Sequence, residues 1–372
     1  MDFLDPHYFD YAASSIPFVE SLEVQREASE KYWANPSSQH SRGKEAKRFI
    51  TKQKGIICDL CSFKEGRLLL FSSATEANNF VMHHALSQGS KKILLASDAH
   101  ASLSSFVDAN KGRIELLPLT SKGELSYSFL ENSQRDEYDI VLVSHIGHEL
   151  GIVHDIQRVA QLCRQKGIAL HIDGAQALGH LNLNLDAINW GSYAFAAHKF
   201  SGPRGLGGLF FREEDYSSCI IGGQQEYGLR AGTENCAALA GTSSALERSL
   251  SSLLDEQERK KKWEVTLKNE CSHLSNLNFE EAPGHLPGFL SLGCKSFLAS
   301  EQVEKLAVFG FSLSSGSACH EGALNPSKTI LAMGKDEQEA LSHIRISMGW
   351  GNSDESVLAL AQAFKKTMGT VS

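Results

Sequence analysis

The sequence predicts an α/β protein: a large domain with a mostly parallel sheet covered by helices on both faces, followed by a smaller α/β domain. Two observations predict it. Between residues 68 and 212, short apolar runs alternate with longer amphipathic segments, the pattern of strands joined by covering helices. The chain also has 372 residues, too many for a single small core and enough for two or three conventional domains.

In chain order, strands are expected at 68–72, 92–96, 113–118, 139–144, 168–172, 192–196 and 206–211. Helical patterns at 75–86 and 155–165 lie between them. A long helical stretch, 235–271, follows the glycine-rich GGQQEYGLRAGT. Beyond it the pattern changes to short strands at 279–281 and 289–292 and helices at 300–308, 337–343 and 354–368. The boundaries drawn from this are 16–255 for the large domain and 256–372 for the small one, with residues 1–15 completing the latter.

Composition excludes several classes. Hydrophobic residues are 42% and charged residues 22%, which rules out a disordered, fibrous or coiled-coil chain. No run of about 18 apolar residues suggests a membrane span, and the opening MDFLDPHYFD has no export-signal pattern. The formal charge is −8, and the basic run Lys260-Lys261-Lys262 reads as a solvated helix face. Nucleic acid is therefore not expected as a primary ligand. The eight cysteines are scattered, so reduced thiols in a cytoplasm are expected. Cys58 and Cys61 fall in a helical pattern and read as structural thiols. No metal site is expected.

In sheets of this kind ligands collect at the carboxyl ends of the strands. There, ALHIDGAQALG places Asp173 at a strand end with Gln176 three residues on, and a second strand runs into Ala-His-Lys (197–199). An acid and a lysine so placed suit pyridoxal phosphate. The lysine offers the amine for a Schiff base and the carboxylate keeps the pyridine nitrogen protonated. Taken alone, Asp173 reads as well as a helix N-cap and Lys199 as a surface residue. LLLFSSATEANN runs from a strand into a helix whose start, with Ala74 and Thr75, can hold a phosphate. Ser73 or Thr75 is equally an ordinary cap. In SSGSACHEGA, Cys319 sits beside His320 in a run of small residues, a candidate nucleophile on an exposed loop. Arg345, on the apolar run IRISMG, needs an anionic partner, and a substrate carboxylate is a natural one.

Together these segments resemble the class V aminotransferase family of pyridoxal phosphate enzymes, most closely its NifS/IscS-type cysteine desulfurases. The resemblance rests on YFDYAASSIP, NPSSQHSRGKEA, FSSATEANN, HELGIVHDI, HIDGAQALG, AHKFSGPRGLGGLFFR, GGQQEYGLRAGTEN, SSGSACHEGALNPS and HIRISMG, in order over nearly the whole chain. It implies an aspartate aminotransferase-like fold. It makes Lys199 the Schiff-base lysine and proton shuttle, Asp173 the partner of the pyridinium nitrogen, and Gln176 a contact to the ring hydroxyl. His100 would stack on the ring and assist proton transfer. Thr75 and His198 would hold the phosphate, with Thr233 reaching across from the other subunit of a homodimer. Arg345 and Asn35 would bind the substrate carboxylate. Cys319 would take sulfur from L-cysteine, leaving alanine and a persulfide for a sulfur-acceptor protein such as an iron–sulfur scaffold, or for thiolation.

This chain departs from the family pattern in three places. Ala196 stands where a hydroxyl residue is usual, His148 where an asparagine is usual, and the glycine expected between Ser73 and Ala74 is absent. All three touch cofactor holding and imply a rearranged phosphate site. The expected activity is cysteine desulfuration. The alternatives are a selenocysteine lyase or another enzyme of the same family acting on a small amino acid, and a catalytically weak binding subunit.

Overall fold

The computed structural model describes residues 4–369 apart from 90, 136, 189–190, 213–215, 219 and 317–324. Helices α1 (Val19–Lys31) and α2 (Ser41–Leu60) precede β1 (Arg67–Phe71), α3 (Ala74–Gln88), β2 (Lys92–Ala96), α4 (Ala101–Ser104), β3 (Ile114–Leu117) and α5 (Tyr127–Asn132). Then come β4 (Tyr138–Ser144), α6 (Ile156–Lys166), β5 (Ala169–Asp173), β6 (Ser192–Ala196), β7 (Gly207–Phe211), α7 (Cys236–Ser251) and α8 (Leu253–Cys271). The chain ends in β8 (Leu277–Phe279), β9 (Phe289–Cys294), α9 (Ala299–Ala307), α10 (Lys328–Ala332), α11 (Glu337–Ser342), β10 (His343–Ser347) and α12 (Asp354–Met368).

The first seven strands form one sheet in the order β1-β7-β6-β5-β4-β2-β3, parallel from β6 through β3, with β7 antiparallel to both its neighbours. Its strands are apolar on both faces. Leu68, Leu70, Leu94, Val141, Val143, Leu170 and Phe195 pack in one core, and Leu69, Phe71, Ile93, Leu95, Ile140, Leu142 and Ala194 in the core on the opposite side. The two-residue period of a strand sends alternate side chains to opposite faces, so double burial demands the continuous apolar runs seen in the sequence.

The covering helices follow the same logic. In α6, Ile156, Val159, Ala160 and Cys163 are buried, the i, i+3, i+4, i+7 stripe of a helix with one covered face. Asp155 caps its start, accepting from Arg158 N–H at 3.0 Å, and Gly167 ends it in the left-handed region at φ 70°, where glycine carries no Cβ penalty.

A three-stranded antiparallel sheet, β10-β9-β8, carries a second core in which Leu290, Leu292, Ile344 and Ile346 meet Trp263, Leu267, Leu360 and Phe364. Phe9 is buried in that core, and the N-terminal segment bridges to it at Tyr8–Ser312 and Asp10–Ser347. The helix expected over 235–271 is two helices broken at Ser252 (φ −103°, ψ 6°). The first joins the large core at Leu239 and Leu246 and the second the small core. The basic run is also not uniformly solvated. Lys261 and Lys262 are exposed, but Lys260 lies along Gly288 and burial lowers its pKa. Among the described residues, no helix is long and apolar enough to cross a membrane.

Candidate active site

The site begins with register. Ser144 pairs with Asp173 and Asp173 with Ala194, so the carboxyl ends of β4 and β5 are level and β6 runs two residues further. Glycine is required where the chain leaves β5: a Cβ on Gly174 would sit 1.9 Å from the Tyr193 ring. On β7 a Cβ on Gly207 would lie 2.8 Å from Ala74 N, so its absence lets the start of α3 approach the sheet.

Ala74, Thr75, His100, His148, Asp173, Gln176, His198 and Lys199 line one cavity of about 230 Å³. Asp173 is 7% exposed. One of its oxygens accepts from Ala175 N–H at 3.0 Å and the other from Asn78 Nδ2 at 2.8 Å. Lys199 Nζ donates to the carbonyls of Ala12 (2.6 Å) and Ala13 (3.0 Å). Its own carbonyl accepts from Ser15 Oγ (2.7 Å) and from His180 Nε2 (2.9 Å), which fixes the turn after β6. Gln176 Nε2 donates to the same Ala12 carbonyl at 2.8 Å. Ser73 is the N-cap of α3, accepting from Glu76 N–H, whereas Thr75 is exposed at the cavity wall. Ala196 lines the wall near His198, which shares a hydrogen bond with Ser14 Oγ at 3.2 Å. Burial, with Lys199 and Arg204 nearby, pulls His198 down to about 4, so it is neutral at pH 7.

His100 and His148 meet edge to face with ring centroids 5.4 Å apart. Burial first, and His148 second, hold the His100 pKa well below the ordinary imidazole range. His148 also lines a second cavity of about 410 Å³, together with Glu149, Gly316, Asn325 and Thr329. Glu149 accepts from Thr329 Oγ1 at 2.8 Å and from Ser327 Oγ.

Three expected residues are not in the first cavity. Arg345 is buried behind it, donating to the His148 carbonyl and to Asp10 Oδ1, each at 2.8 Å. Asn35 and Thr233 are exposed elsewhere on the chain. Cys319 lies outside the described residues. The sequence reading missed Asn78, Ser102, Glu149 and Asp10. Asn78 alone left a signal, an amide on the apolar stripe of α3 between Ala77 and Val81, both fully buried.

An amine and a carboxylate converging at adjoining strand ends of a mostly parallel sheet, beside a helix start, define an α/β enzyme. The chain belongs to the Aminotransferase class-V family, whose model matches residues 7–360. It is 27% identical to cysteine desulfurase IscS 1 of Archaeoglobus fulgidus over 362 residues, covering 94% of each chain. In fold it is similar to a NifS-like protein (TM-score 0.90, 22% identity, 99% of this chain and all of that one). It is likewise similar to SspA solved in complex with cysteine (TM-score 0.79, 24% identity, 92% and 98%).

Histidines buried in neutral form make stability pH-dependent. Burial pulls His145, His171 and His180 each to about 4 from an ordinary 6.5. Above 6.5 neither the folded nor the unfolded chain protonates them. Between 6.5 and about 4 only the unfolded chain does, so stability falls as pH falls. The slope is at most roughly 1.4 kcal/mol per pH unit for each histidine. Urea midpoints recorded from pH 6.5 to 4.5 should decline as pH falls, and a midpoint that rises over that window would contradict the assignment.

Proposed function

We propose that this chain is a pyridoxal phosphate-dependent cysteine desulfurase that converts L-cysteine to L-alanine and passes the sulfur to Cys319 as a persulfide. The observation that carries this reading is the cavity in which Lys199, Asp173 and His100 converge beside the start of α3. The chain flanks 317–324, the segment holding Cys319, at Gly316 and Asn325, which line the adjoining cavity.

The donor set fits the cofactor. Asp173 is the ionised partner for the ring nitrogen, His100 the flat wall, and Gln176 a polar neighbour of the ring. Ala74, Thr75 and His198 lie where a phosphate would meet helix N–H groups. Ala196 contributes no hydroxyl, so the site is simpler at that point than the family pattern. When bound, the cofactor supplies an electron sink that acidifies the hydrogen on the substrate α-carbon. Lys199 is the amine that anchors it and then holds that proton. The resemblance assigns the substrate carboxylate to Asn35 and to Arg345, whose guanidinium would exchange the His148 carbonyl or Asp10 for it. The sulfur step exchanges the bond between substrate sulfur and its β-carbon for a sulfur–sulfur bond at Cys319. Cysteine and one protein thiol give alanine and one persulfide, which balances without an added oxidant or reductant.

The enzyme works as a homodimer in which Thr233 of each subunit completes the other's phosphate site, in a reducing cytoplasm where the described cysteines stay free. Its persulfide goes to a sulfur-acceptor protein such as an iron–sulfur scaffold, or to thiolation. The large domain spans 16–255 and the small domain 256–372 with residues 1–15.

The test is alanine and sulfide release from L-cysteine with a thiol reductant, on wild type and Cys319→Ala. Equimolar products from wild type, and at least a hundredfold loss in the variant, are expected. Full activity in the variant would point to a selenocysteine lyase-type chemistry that needs no protein thiol. A wild type that forms neither product, with pyridoxal phosphate supplied, would overturn the enzyme reading of this cavity.

A further inference from the structure

Behind Asp173 lies a chain of polar side chains that the reaction as described does not use. Asn78, His171 and Ser192 are fully buried, Asp173 and Ser102 each 7% exposed. Asn78 stands on α3 facing β5. Its Nδ2 lies 2.8 Å from Asp173 Oδ2 and 2.9 Å from Ser102 Oγ, and its Oδ1 lies 2.9 Å from His171 Nε2. His171 Nδ1 is 2.8 Å from Ser192 Oγ, which accepts from Tyr216 OH at 3.2 Å. Ser102 Oγ is 3.0 Å from His100 Nδ1, and Ser102 N–H donates to the same nitrogen at 3.1 Å.

Donor and acceptor rules give this chain one polarity. An ionised carboxylate only accepts, so the Asn78 NH2 must face Asp173 and its oxygen must face His171. His171 therefore carries its hydrogen on Nε2 and accepts at Nδ1 from the Ser192 hydroxyl. The second amide hydrogen of Asn78 goes to Ser102 Oγ, whose own hydrogen then points at His100 Nδ1. With the Ser102 backbone donor added, His100 holds its hydrogen on Nε2.

We infer that Asn78 is a positioning residue for the reaction: one buried amide holds Asp173 as the ionised partner of the ring and, through Ser102, sets the hydrogen-bonding face of His100. The inference rests on the reading that this cavity takes pyridoxal phosphate. The acid ends β5 and the imidazole stands between β2 and α4, and the amide on α3 joins them, so neither turns without disturbing the other. The charged or titratable groups facing this junction include His100 from the start of α4, His148 after β4, His171 on β5, Tyr193 on β6, Lys199 from the turn after β6 and Arg345 on β10. Glu76, on α3 itself, is turned away to Arg230 at 3.0 Å.

Asn78→Leu and Asn78→Asp separate this role from simple packing. Pyridoxal phosphate is added to purified cofactor-free protein. The dissociation constant is read at pH 7.5, and the visible absorption bands of the bound cofactor are followed from pH 6 to 9. Asn78→Leu removes the side-chain donor from a buried carboxylate and should weaken binding about tenfold or more. Asn78→Asp keeps the shape. At the acid end the introduced carboxyl, when protonated, donates to Asp173 as the amide does, and the bands should match wild type. As pH rises the pair loses its shared proton and a second spectral titration should appear, absent from wild type and from Asn78→Leu. A packing role alone gives no such titration. Should Asn78→Leu fail to fold by circular dichroism, the near-isosteric Asn78→Asp decides. Wild-type uptake with unchanged affinity in Asn78→Leu, or without the extra titration in Asn78→Asp, would overturn the inference alone. A wild type that takes up no pyridoxal phosphate would overturn the cofactor reading and the inference with it.

Discussion

Lys199→Ala should form alanine from L-cysteine at least about a thousandfold more slowly than wild type while keeping its fold. The proposed mechanism gives that amine two functions, anchoring the cofactor and carrying the α-proton, and positioned proton transfer by itself is worth roughly 10²–10⁴-fold. The structural cost is small. Lys199 Nζ donates to the carbonyls of Ala12 and Ala13; once the amine is gone the Ala12 carbonyl keeps its Gln176 donor, and Ala13 lines the cavity, where its carbonyl can meet water. The turn itself is held by other bonds, Ser15 Oγ and His180 Nε2 to the Lys199 carbonyl, and these survive truncation of the side chain. Circular dichroism and the urea midpoint should therefore stay near wild type while alanine production collapses. Added methylamine, small enough to enter a cavity of about 230 Å³, should restore part of the rate. Activity within tenfold of wild type without added amine would remove Lys199 from its assigned role.

The same residues explain why so much of this site was legible in the sequence. A parallel sheet covered on both faces needs continuous apolar strands, so each strand announces its own end, and chemistry standing immediately after it is conspicuous. Asp173 and Lys199 were visible for that reason, as was the start of α3 after β1. Features that depend on two distant segments meeting were not visible. The apolar stripe of α3 singles out Asn78 between Ala77 and Val81 as buried, but nothing in FSSATEANN says that it meets Asp173. Nothing in YFDYAA says that Asp10 will hold Arg345 across the fold. The break at Ser252 was hidden because LSSLLD contains neither proline nor glycine, and what parts α7 from α8 is their attachment to different cores. Lys260 was misread because charge predicts exposure only until a neighbouring element, here the chain at Gly288, covers it.

Asp173→Asn should be the second severe loss, and its pattern should differ from that of Lys199→Ala. The substitution keeps shape but removes the charge proposed to face the cofactor's ring nitrogen, and an uncompensated buried cation typically costs about 3–5 kcal/mol, roughly 10²–10⁴-fold in rate. It also breaks hydrogen-bond logic that the lysine substitution leaves alone. Asp173 accepts on both oxygens, from Ala175 N–H and from Asn78 Nδ2, whereas an amide accepts on one side only and turns a donor toward a donor on the other. One buried donor left unpaired costs about 1–3 kcal/mol, so the urea midpoint of Asp173→Asn should fall even without cofactor, unlike that of Lys199→Ala. Methylamine should not restore its activity, because the missing charge is not a missing amine. Retention of more than a tenth of wild-type activity at saturating pyridoxal phosphate would show that the ring nitrogen draws no essential support from Asp173. An unchanged urea midpoint would show instead that Asn78 finds another acceptor.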